Sequence, residues 1–164
     1  MRPRQAFCLI ILLASLLMGL SSSASPPLTG VVRRVLDGDT IRLDVAGRAV
    51  TVRLTQIDAP EKTQPGGSSA TNALIVLVLG QTVTVTSHGT DRYGRVLGEV
   101  WLSDGRSVNT EMVRQCLVWW YRRYAPQATQ LRDLEAACQA AHQGVWAGDN
   151  APIPPWDWRK GRRQ

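Results

Sequence analysis

The period of the hydrophobic pattern changes twice along the chain, and this change limits the fold more than any other feature. Residues 30–57 alternate apolar and polar side chains in the manner of three short strands. Residues 68–79 follow a helical period, and alternation returns in residues 82–86 and 95–102. Five strands with a helix between the third and the fourth predict an α+β fold, a five-stranded oligonucleotide-binding (OB-type) β-barrel.

Two further helices are predicted after the strands, over residues 109–117 and 128–143, and we expect them to pack beneath the barrel. The turn and cap residues agree with this division of the chain. The expected turns are Asp37-Gly38, Ala46-Gly47 and Asp104-Gly105. The first helix is expected to have Ser68 or Ser69 as its N-cap and to end at Gly80. The third helix is expected to end at Gly144. The side chains expected to be buried are Ala70, Ala73, Leu74, Leu77, Val78, Met112, Val113, Cys116, Leu117, Leu131, Leu134, Cys138 and Ala141.

The N-terminus has the pattern of a secretory signal peptide over residues 1–24. Arg2 and Arg4 precede an apolar run over residues 6–20, and Ser22-Ser23-Ala24 is a small-residue cleavage pattern. A retained membrane anchor is the alternative, although the run is short for a span of about 20 residues. We therefore expect export to the periplasm or the medium. Failure of export, with action in the cytoplasm, is a further alternative.

Two cysteines remain after such cleavage, Cys116 and Cys138. An oxidising compartment favours a disulfide between them, and two buried free thiols are the alternative. A zinc site is not expected, since His88 and His142 are the only histidines and neither has a ligand-like spacing.

The remaining length, about 140 residues, suits one compact domain. We expect it to be a monomer, with one domain, the barrel and its helices, over residues 25–150 and a basic tail rich in Pro, Trp and Arg over residues 151–164. This tail is expected to be exposed unless its tryptophans attach it to the domain. The formal charge of the full chain is +6. The excess of basic residues comes from the N-terminal residues 1–24 and from the tail, so residues 25–158 have no formal net charge. Any phosphate site must therefore depend on a local cluster of basic side chains.

Three short motifs carry the side chains that metal-assisted phosphodiester hydrolysis requires. They are Asp37-Gly38-Asp39-Thr40, Arg53-Leu54-Thr55-Gln56-Ile57-Asp58-Ala59-Pro60-Glu61 and Asp91-Arg92-Tyr93-Gly94-Arg95. Each motif alone is typical of an ordinary turn or loop. Together they supply carboxylate oxygens for a hard cation, a carboxylate for a water molecule and arginines for a phosphate.

With these motifs, and with Val108-Asn109, Met112-Val113-Arg114-Gln115 and Gly144-Val145-Trp146, the chain resembles the staphylococcal nuclease (thermonuclease) family over residues 28–146. The resemblance implies an OB-type barrel and Ca²⁺-dependent hydrolysis of DNA and RNA, leaving 3′-phosphate and 5′-hydroxyl ends. By position, Asp39 and Asp58 resemble the family's metal carboxylates. The backbone carbonyl of Ala59 resembles a further metal ligand.

Three more residues match the family's catalytic positions. Arg53 and Arg95 resemble the pair that binds the phosphate, and Glu61 resembles the residue that positions or deprotonates the attacking water. These roles agree with the chemistry of the side chains, since arginine meets two phosphate oxygens at once and stays protonated. The loop over residues 62–69 is shorter than in the best-known member, so the covering of the site is expected to differ.

Aromatic side chains and arginines alternate near the third motif and after the second helix, a pattern that suits base stacking and phosphate contacts. The candidates for substrate binding are Arg92, Tyr93, Tyr121 and Tyr124. Trp119, Trp120 and Trp146 either join them or pack in the core. The alternative to an enzyme is a binding module of the same fold, which would bind single-stranded nucleic acid without cleaving it.

Overall fold

A computed structural model of the protein describes residues 26–148 and 151–161. The expected signal peptide over residues 1–24, the expected mature start at Ser25 and the last two arginines of the tail, Arg162 and Arg163, lie outside the described residues.

Five strands form a barrel, as the sequence predicts. The barrel is closed, with the strand order β1-β2-β3-β6-β5. All neighbours are antiparallel except β3 and β6, which are parallel, with Arg53 beside Leu97. A parallel pair requires a crossover, and helix α1 lies in the connection from β3 to β5. The barrel strands are β1 Leu28–Asp37, β2 Thr40–Val45, β3 Arg48–Leu54, β5 Thr82–Thr90 and β6 Val96–Trp101.

Two further strands of two residues each, which the sequence does not predict, lie outside the barrel. Strand β4, Ile57–Asp58, pairs antiparallel with β7, Trp119–Trp120. Segments this short carry no periodicity, so alternation cannot reveal them. Their pairing joins the exit of β3 to the segment that follows the second helix.

The helices occupy the expected places: α1 is shifted by one residue, and α2 and α3 are shorter than predicted. Their bounds are α1 Gly67–Val78, α2 Val108–Arg114 and α3 Thr129–Ala140. The prediction of Ser68 or Ser69 as N-cap of α1 is wrong, because the cap is Gly66 in a left-handed conformation, with φ of 88°. Ser107 caps α2 instead through its side chain, which accepts a hydrogen bond from the backbone N–H of Thr110.

The end of α3 also differs from its prediction. The helix stops at Ala140, and Gly144 begins a separate 3₁₀ turn, Gly144–Trp146. Ala141 is exposed, contrary to expectation, because it caps the helix after the last full turn. A short helix α4, Pro155–Trp158, lies in the expected tail.

The main core fills the barrel and the space between it and α1 and α2. Ile41, Leu43, Val52, Leu54 and Leu74 are fully buried there. Asn109 closes one end: its side chain accepts from Val100 N–H at 3.0 Å and donates to the Thr55 carbonyl at 2.7 Å. These bonds connect β6 to the exit of β3, next to the second motif.

A second cluster contains the disulfide between Cys116 and Cys138, whose Cα atoms are 5.4 Å apart. It links the end of α2 to α3. Trp119 and Trp146 pack in the same cluster with ring centroids 5.4 Å apart. Across the described residues, no helix has both the length and the apolar character that a membrane crossing requires.

Candidate active site

The first two motifs meet where the β1–β2 turn contacts the exit of β3. The Oδ2 atom of Asp39 accepts a hydrogen bond from the backbone N–H of Ala59 at 2.7 Å. Gly38 permits this approach, since a Cβ atom there would lie 2.7 Å from the Cβ atoms of both Ala59 and Ala70. The fold therefore places Asp39 beside Asp58, although 18 residues separate them in the sequence.

Arg53 connects the two carboxylates. Its Nη2 lies 3.0 Å from Asp39 Oδ2 and 2.8 Å from Asp58 Oδ1. Its Nη1 donates to the carbonyl oxygens of Leu54 and Ile57. Both terminal nitrogens of Arg53 are thus engaged by the protein, and the side chain is only 14% exposed.

Burial leaves the negative charge of this pair poorly compensated. It raises the pKa of Asp39 from 3.8 to about 7; Arg53 opposes the shift, and the nearby carboxylates of Asp37 and Asp58 add to it. A carboxylate pair in this state gains stability from a bound cation, because the cation favours the ionised form.

The donors present fit a hard cation. Within the described residues, no group of three or more His, Cys, Asp or Glu side chains is arranged to enclose a metal ion. Asp39 and Asp58, however, offer carboxylate oxygens brought together by one guanidinium nitrogen, and the backbone of Ala59 is adjacent. Oxygen donors with room for water and a phosphate oxygen are typical of Ca²⁺ and Mg²⁺ sites.

Glu61 lies on the loop between β4 and α1, at the edge of this carboxylate pair. Its backbone N–H donates to Gln64 Oε1 at 3.1 Å. The start of α1 packs closely under the loop, since a Cβ atom at Gly67 would lie 2.1 Å from the Glu61 carbonyl oxygen. The carboxylate itself is 41% exposed and therefore accessible to water and substrate.

Arg95 forms its ion pair with Asp91. It precedes β6, two positions before Leu97, which pairs with Arg53. Asp91 orients it, since Asp91 Oδ2 accepts from Arg95 Nε at 2.7 Å and Oδ1 accepts from the backbone N–H of Arg95 at 3.0 Å. Despite some desolvation, these bonds lower the pKa of Asp91. The structure thus gives Asp91 a specific role where the sequence indicates only a turn.

The aromatic candidates lie on the surface in two groups. Tyr93 is 68% exposed, and the guanidinium carbons of Arg92 and Arg95 lie 4.8 and 5.6 Å from its ring centroid. Tyr124, also 68% exposed, contacts the edge of Tyr121 with centroids 4.7 Å apart.

The tryptophans that the sequence left open have packing roles. Trp119 and Trp146 are 5% and 8% exposed and contact each other beside the disulfide. Trp120 is partly buried, and its indole N–H donates to the Ala125 carbonyl at 2.9 Å. Trp119 and Trp120 together form strand β7, in which Trp119 pairs with Asp58 and Trp120 with Ile57.

One site residue was missed by sequence reasoning, Arg159. It directly follows α4, and its guanidinium bonds to both Asp58 and Glu61. Desolvation opposes its charge, but these bonds raise its pKa above the ordinary arginine value. Residues 151–161 therefore pack on the domain instead of extending into solvent. The signal in the sequence was Pro155, which is favoured in the first turn of a helix.

A cavity of about 330 Å³ lies beside Arg159. Its walls combine cations with the parallel rings of Tyr121 and Trp156, whose centroids are 5.3 Å apart. The lining residues are Tyr121, Arg122, Arg123, Trp156, Arg159 and Lys160.

Comparison with known proteins agrees with this geometry. A family model described as "Staphylococcal nuclease homologue" matches residues 51–148. An "Uncharacterized endonuclease" of Escherichia coli is 46% identical over 130 residues, which cover 79% of this chain and 84% of that protein. The "Micrococcal nuclease" of Shigella flexneri is 36% identical over 156 residues, covering 90% and 89%.

A further relative, an "Uncharacterized endonuclease" of Haemophilus influenzae, is 39% identical over 154 residues, covering 92% of this chain and 85% of its own length. The family model begins at residue 51 and covers the second and third motifs. With its closed five-stranded barrel and these relatives, the chain belongs to the staphylococcal nuclease family and is a hydrolytic nuclease that acts on nucleic acid.

Proposed function

We propose that the protein is an exported, Ca²⁺-dependent nuclease that hydrolyses both DNA and RNA without strong sequence specificity and leaves 3′-phosphate and 5′-hydroxyl ends. The observation that carries the proposal is the contact of one arginine, Arg53, with two buried carboxylates, Asp39 and Asp58. Such a cluster has little structural use, since a buried ion pair is costly to desolvate and adds little stability by itself.

In this proposal Asp39, Asp58 and the carbonyl of Ala59 bind the cation. When bound, the ion supplies positive charge that polarises the phosphate and orients water. The donor chemistry supports Ca²⁺ because all three groups offer oxygen, and Ca²⁺ tolerates irregular geometry.

Glu61 accepts a proton from the attacking water. Its exposed carboxylate next to Asp58 supports this role, because a general base must reach both water and substrate. The water oxygen then bonds to phosphorus, and the bond from phosphorus to the 5′ oxygen breaks. The departing 5′ oxygen keeps the bonding electron pair and takes up a proton from solvent, which gives the 5′-hydroxyl end.

Arg95 and Arg53 stabilise the charge that develops on the phosphate. Arg95 bonds to Asp91 through Nε, and the proposal assigns its two terminal nitrogens to the phosphate. Two donors from one planar group suit two phosphate oxygens. Arg53 contributes from beside the carboxylates, where it also compensates their charge.

Tyr93, Arg92, Tyr121 and Tyr124 bind the nucleotides on either side of the cleaved bond. Exposed rings beside arginines support this, because base stacking on aromatic side chains is tolerant of sequence. We therefore expect that cleavage does not require a particular base.

Export is supported by the disulfide, since disulfides persist in oxidising compartments. The test of the reaction is end-group analysis of products from DNA and RNA. Products that accept a 5′ phosphate from a kinase without prior phosphatase treatment are expected. Products that carry a 5′ phosphate would overturn the proposed bond cleavage.

A further inference from the structure

The C-terminal segment, residues 151–161, is attached to the domain at two points close to the site. Gln64 Nε2 donates to the Ile153 carbonyl at 2.6 Å. The ring of Trp156 stacks on Tyr121 at an interplanar angle of 2°. Trp156 belongs to α4, which ends directly before Arg159, so the second anchor positions that arginine.

Arg159 contacts two carboxylates with one planar group. Its Nη1 donates to Glu61 Oε1 at 2.7 Å, and its Nη2 donates to Asp58 Oδ2 at 2.7 Å. A weaker bond runs from Nη1 to Asp58 Oδ1 at 3.3 Å. Arginine makes this fork readily because its donors are fixed in one plane. The guanidinium therefore sets the separation and relative angle of the two carboxylates.

Glu61 depends on this contact more than Asp58 does. Asp58 is 1% exposed and also bonds to Arg53, whereas the Glu61 side chain is 41% exposed. Among the described residues, Arg159 is the one side chain that bonds to the Glu61 carboxylate. An exposed glutamate without a partner samples several rotamers, and Arg159 restricts this one.

The same segment also restrains the backbone at Glu61. Gln64 accepts from the Glu61 N–H through Oε1 and donates to Ile153 through Nε2. One side chain thus joins the loop of the proposed base to the C-terminal segment. Both the backbone and the carboxylate of Glu61 are positioned from residues about 90 to 100 positions later in the chain.

We propose that Arg159 is a positioning residue of the active site, which orients the Glu61 carboxylate toward the attacking water. The inference rests on the proposed role of Glu61 as the general base. Arg159 occupies Oε1, so the other oxygen, Oε2, accepts the proton from water. Arg159 exchanges no proton itself and acts through Glu61.

The alternative is that Arg159 inhibits the enzyme, because its guanidinium competes with the cation for Asp58. Charge does not favour it. When Asp39 is ionised, as a bound cation favours, the formal charges of Asp37, Asp39, Asp58 and Glu61 sum to four negative. Arg53 and Arg159 compensate two of these, and the remaining two match one divalent ion. Positioning and competition predict opposite effects of removing Arg159.

The experiment compares Arg159→Ala and Arg159→Lys with Arg132→Ala in the full chain, using single-stranded DNA and Ca²⁺. Arg132 is the matched control because it is exposed and, among the described residues, forms its ion pair with its neighbour Asp133. We expect Arg159→Ala to lower kcat by roughly 10- to 100-fold with KM within about threefold, the scale of a small misplacement of a catalytic group. Lysine should recover part of the rate, since it bonds to one carboxylate.

A double-mutant cycle with Glu61→Gln tests whether Arg159 acts through Glu61. In the Glu61→Gln background, Arg159→Ala should change kcat by less than about threefold. An equal loss in both backgrounds would overturn the inference while leaving Glu61 as the base. Full activity of Glu61→Gln alone would instead overturn the proposed function.

Two readouts do not depend on activity. Near-ultraviolet circular dichroism, which reports the stacking of Trp156 on Tyr121, should be unchanged in Arg159→Lys. Isothermal titration calorimetry with CaCl₂ should give a Ca²⁺ affinity in Arg159→Ala that is equal to or weaker than that of the wild type. Tighter Ca²⁺ binding together with a higher kcat would show competition and overturn the positioning role.

Discussion

The Oδ2 atom of Asp39 and the backbone N–H of Ala59 form a 2.7 Å hydrogen bond that connects the first motif to the second. A second hydrogen bond, from Leu54 N–H to the Asp39 carbonyl at 2.8 Å, also connects the β1–β2 turn to the exit of β3. The two carboxylates proposed to bind the cation are therefore positioned by backbone contacts and do not depend on the ion for their approach.

Replacing Glu61 with Gln should lower kcat by about two to four orders of magnitude, because the amide cannot accept a proton from water. Initial rates on single-stranded DNA with saturating Ca²⁺ check this. Glu111→Gln is the matched control, since Glu111 pairs with Arg106 and Arg114 on α2. Activity of Glu61→Gln within a few-fold of the wild type would exclude Glu61 as the base.

Arg53→Lys and Arg95→Lys should each lower kcat/KM by roughly 100- to 1,000-fold, the scale of losing one preorganised donor. The two variants should differ in stability. Arg53 bonds to two carboxylates and two carbonyls, which one ammonium group cannot replace, whereas Arg95 bonds to Asp91 alone among the carboxylates of the described residues. In thermal unfolding, Arg53→Lys should lower the Tm more than Arg95→Lys does. The control is Arg33→Lys, at an exposed position. A variant with the kcat/KM of the wild type would show that the substituted arginine does not bind the phosphate.

Asp39 should make the metal-free protein less stable as pH rises. Because its pKa is raised from 3.8 to about 7, the folded state binds more protons than the unfolded state within that window. The contribution of Asp39 to the free energy of unfolding is therefore greatest below pH 3.8 and falls as pH rises toward 7.

Urea unfolding in the presence of a chelator, repeated at pH values between 3.8 and 7, measures how the free energy of unfolding changes with pH. Asp39→Asn should lose less stability than the wild type as pH rises, and Asp133→Asn, at an exposed position, should follow the wild type. Ca²⁺ should restore wild-type stability near neutral pH, since it binds the ionised carboxylate. An identical pH slope in Asp39→Asn and the wild type would contradict the assigned shift.

The disulfide should contribute substantially to stability. It closes a loop with a sequence separation of 22, and the chain-entropy relation gives about 3 kcal/mol for a loop of this size. The Cys116→Ala/Cys138→Ala variant should show this loss in urea unfolding under oxidising conditions. A reducing agent should destabilise the wild type and leave the variant unchanged. A loss below about 1 kcal/mol would mean that the packing of α2 on α3 is sufficient without the bond.

The sequence predicts the barrel well because alternation and turns are local features. Val52 and Leu54 point inward and Arg53 toward the site, as the period of two requires. The motifs also identify Asp39, Asp58 and Glu61 as candidates, since each follows a strand or a turn. Helix ends were less accurate: Gly66 caps α1 through its backbone conformation, which side-chain preferences do not reveal.

Long-range contacts account for what was missed. Arg159 bonds to Asp58 across 101 positions and to Glu61 across 98, and no periodic pattern connects such residues. Asn109 was part of a recognised motif, yet its bonds to Val100 and Thr55 required the tertiary structure. Strands β4 and β7 form by pairing with each other, and each is too short for its sequence pattern to predict a strand.

A cleavage time course of the purified protein tests the central claim most directly. It would compare single-stranded DNA, duplex DNA and RNA, each with Ca²⁺ or with chelator, alongside Glu61→Gln. The account predicts cleavage of all three that requires Ca²⁺ and is lost in the variant. Tight binding of nucleic acid without cleavage under any divalent ion would contradict it.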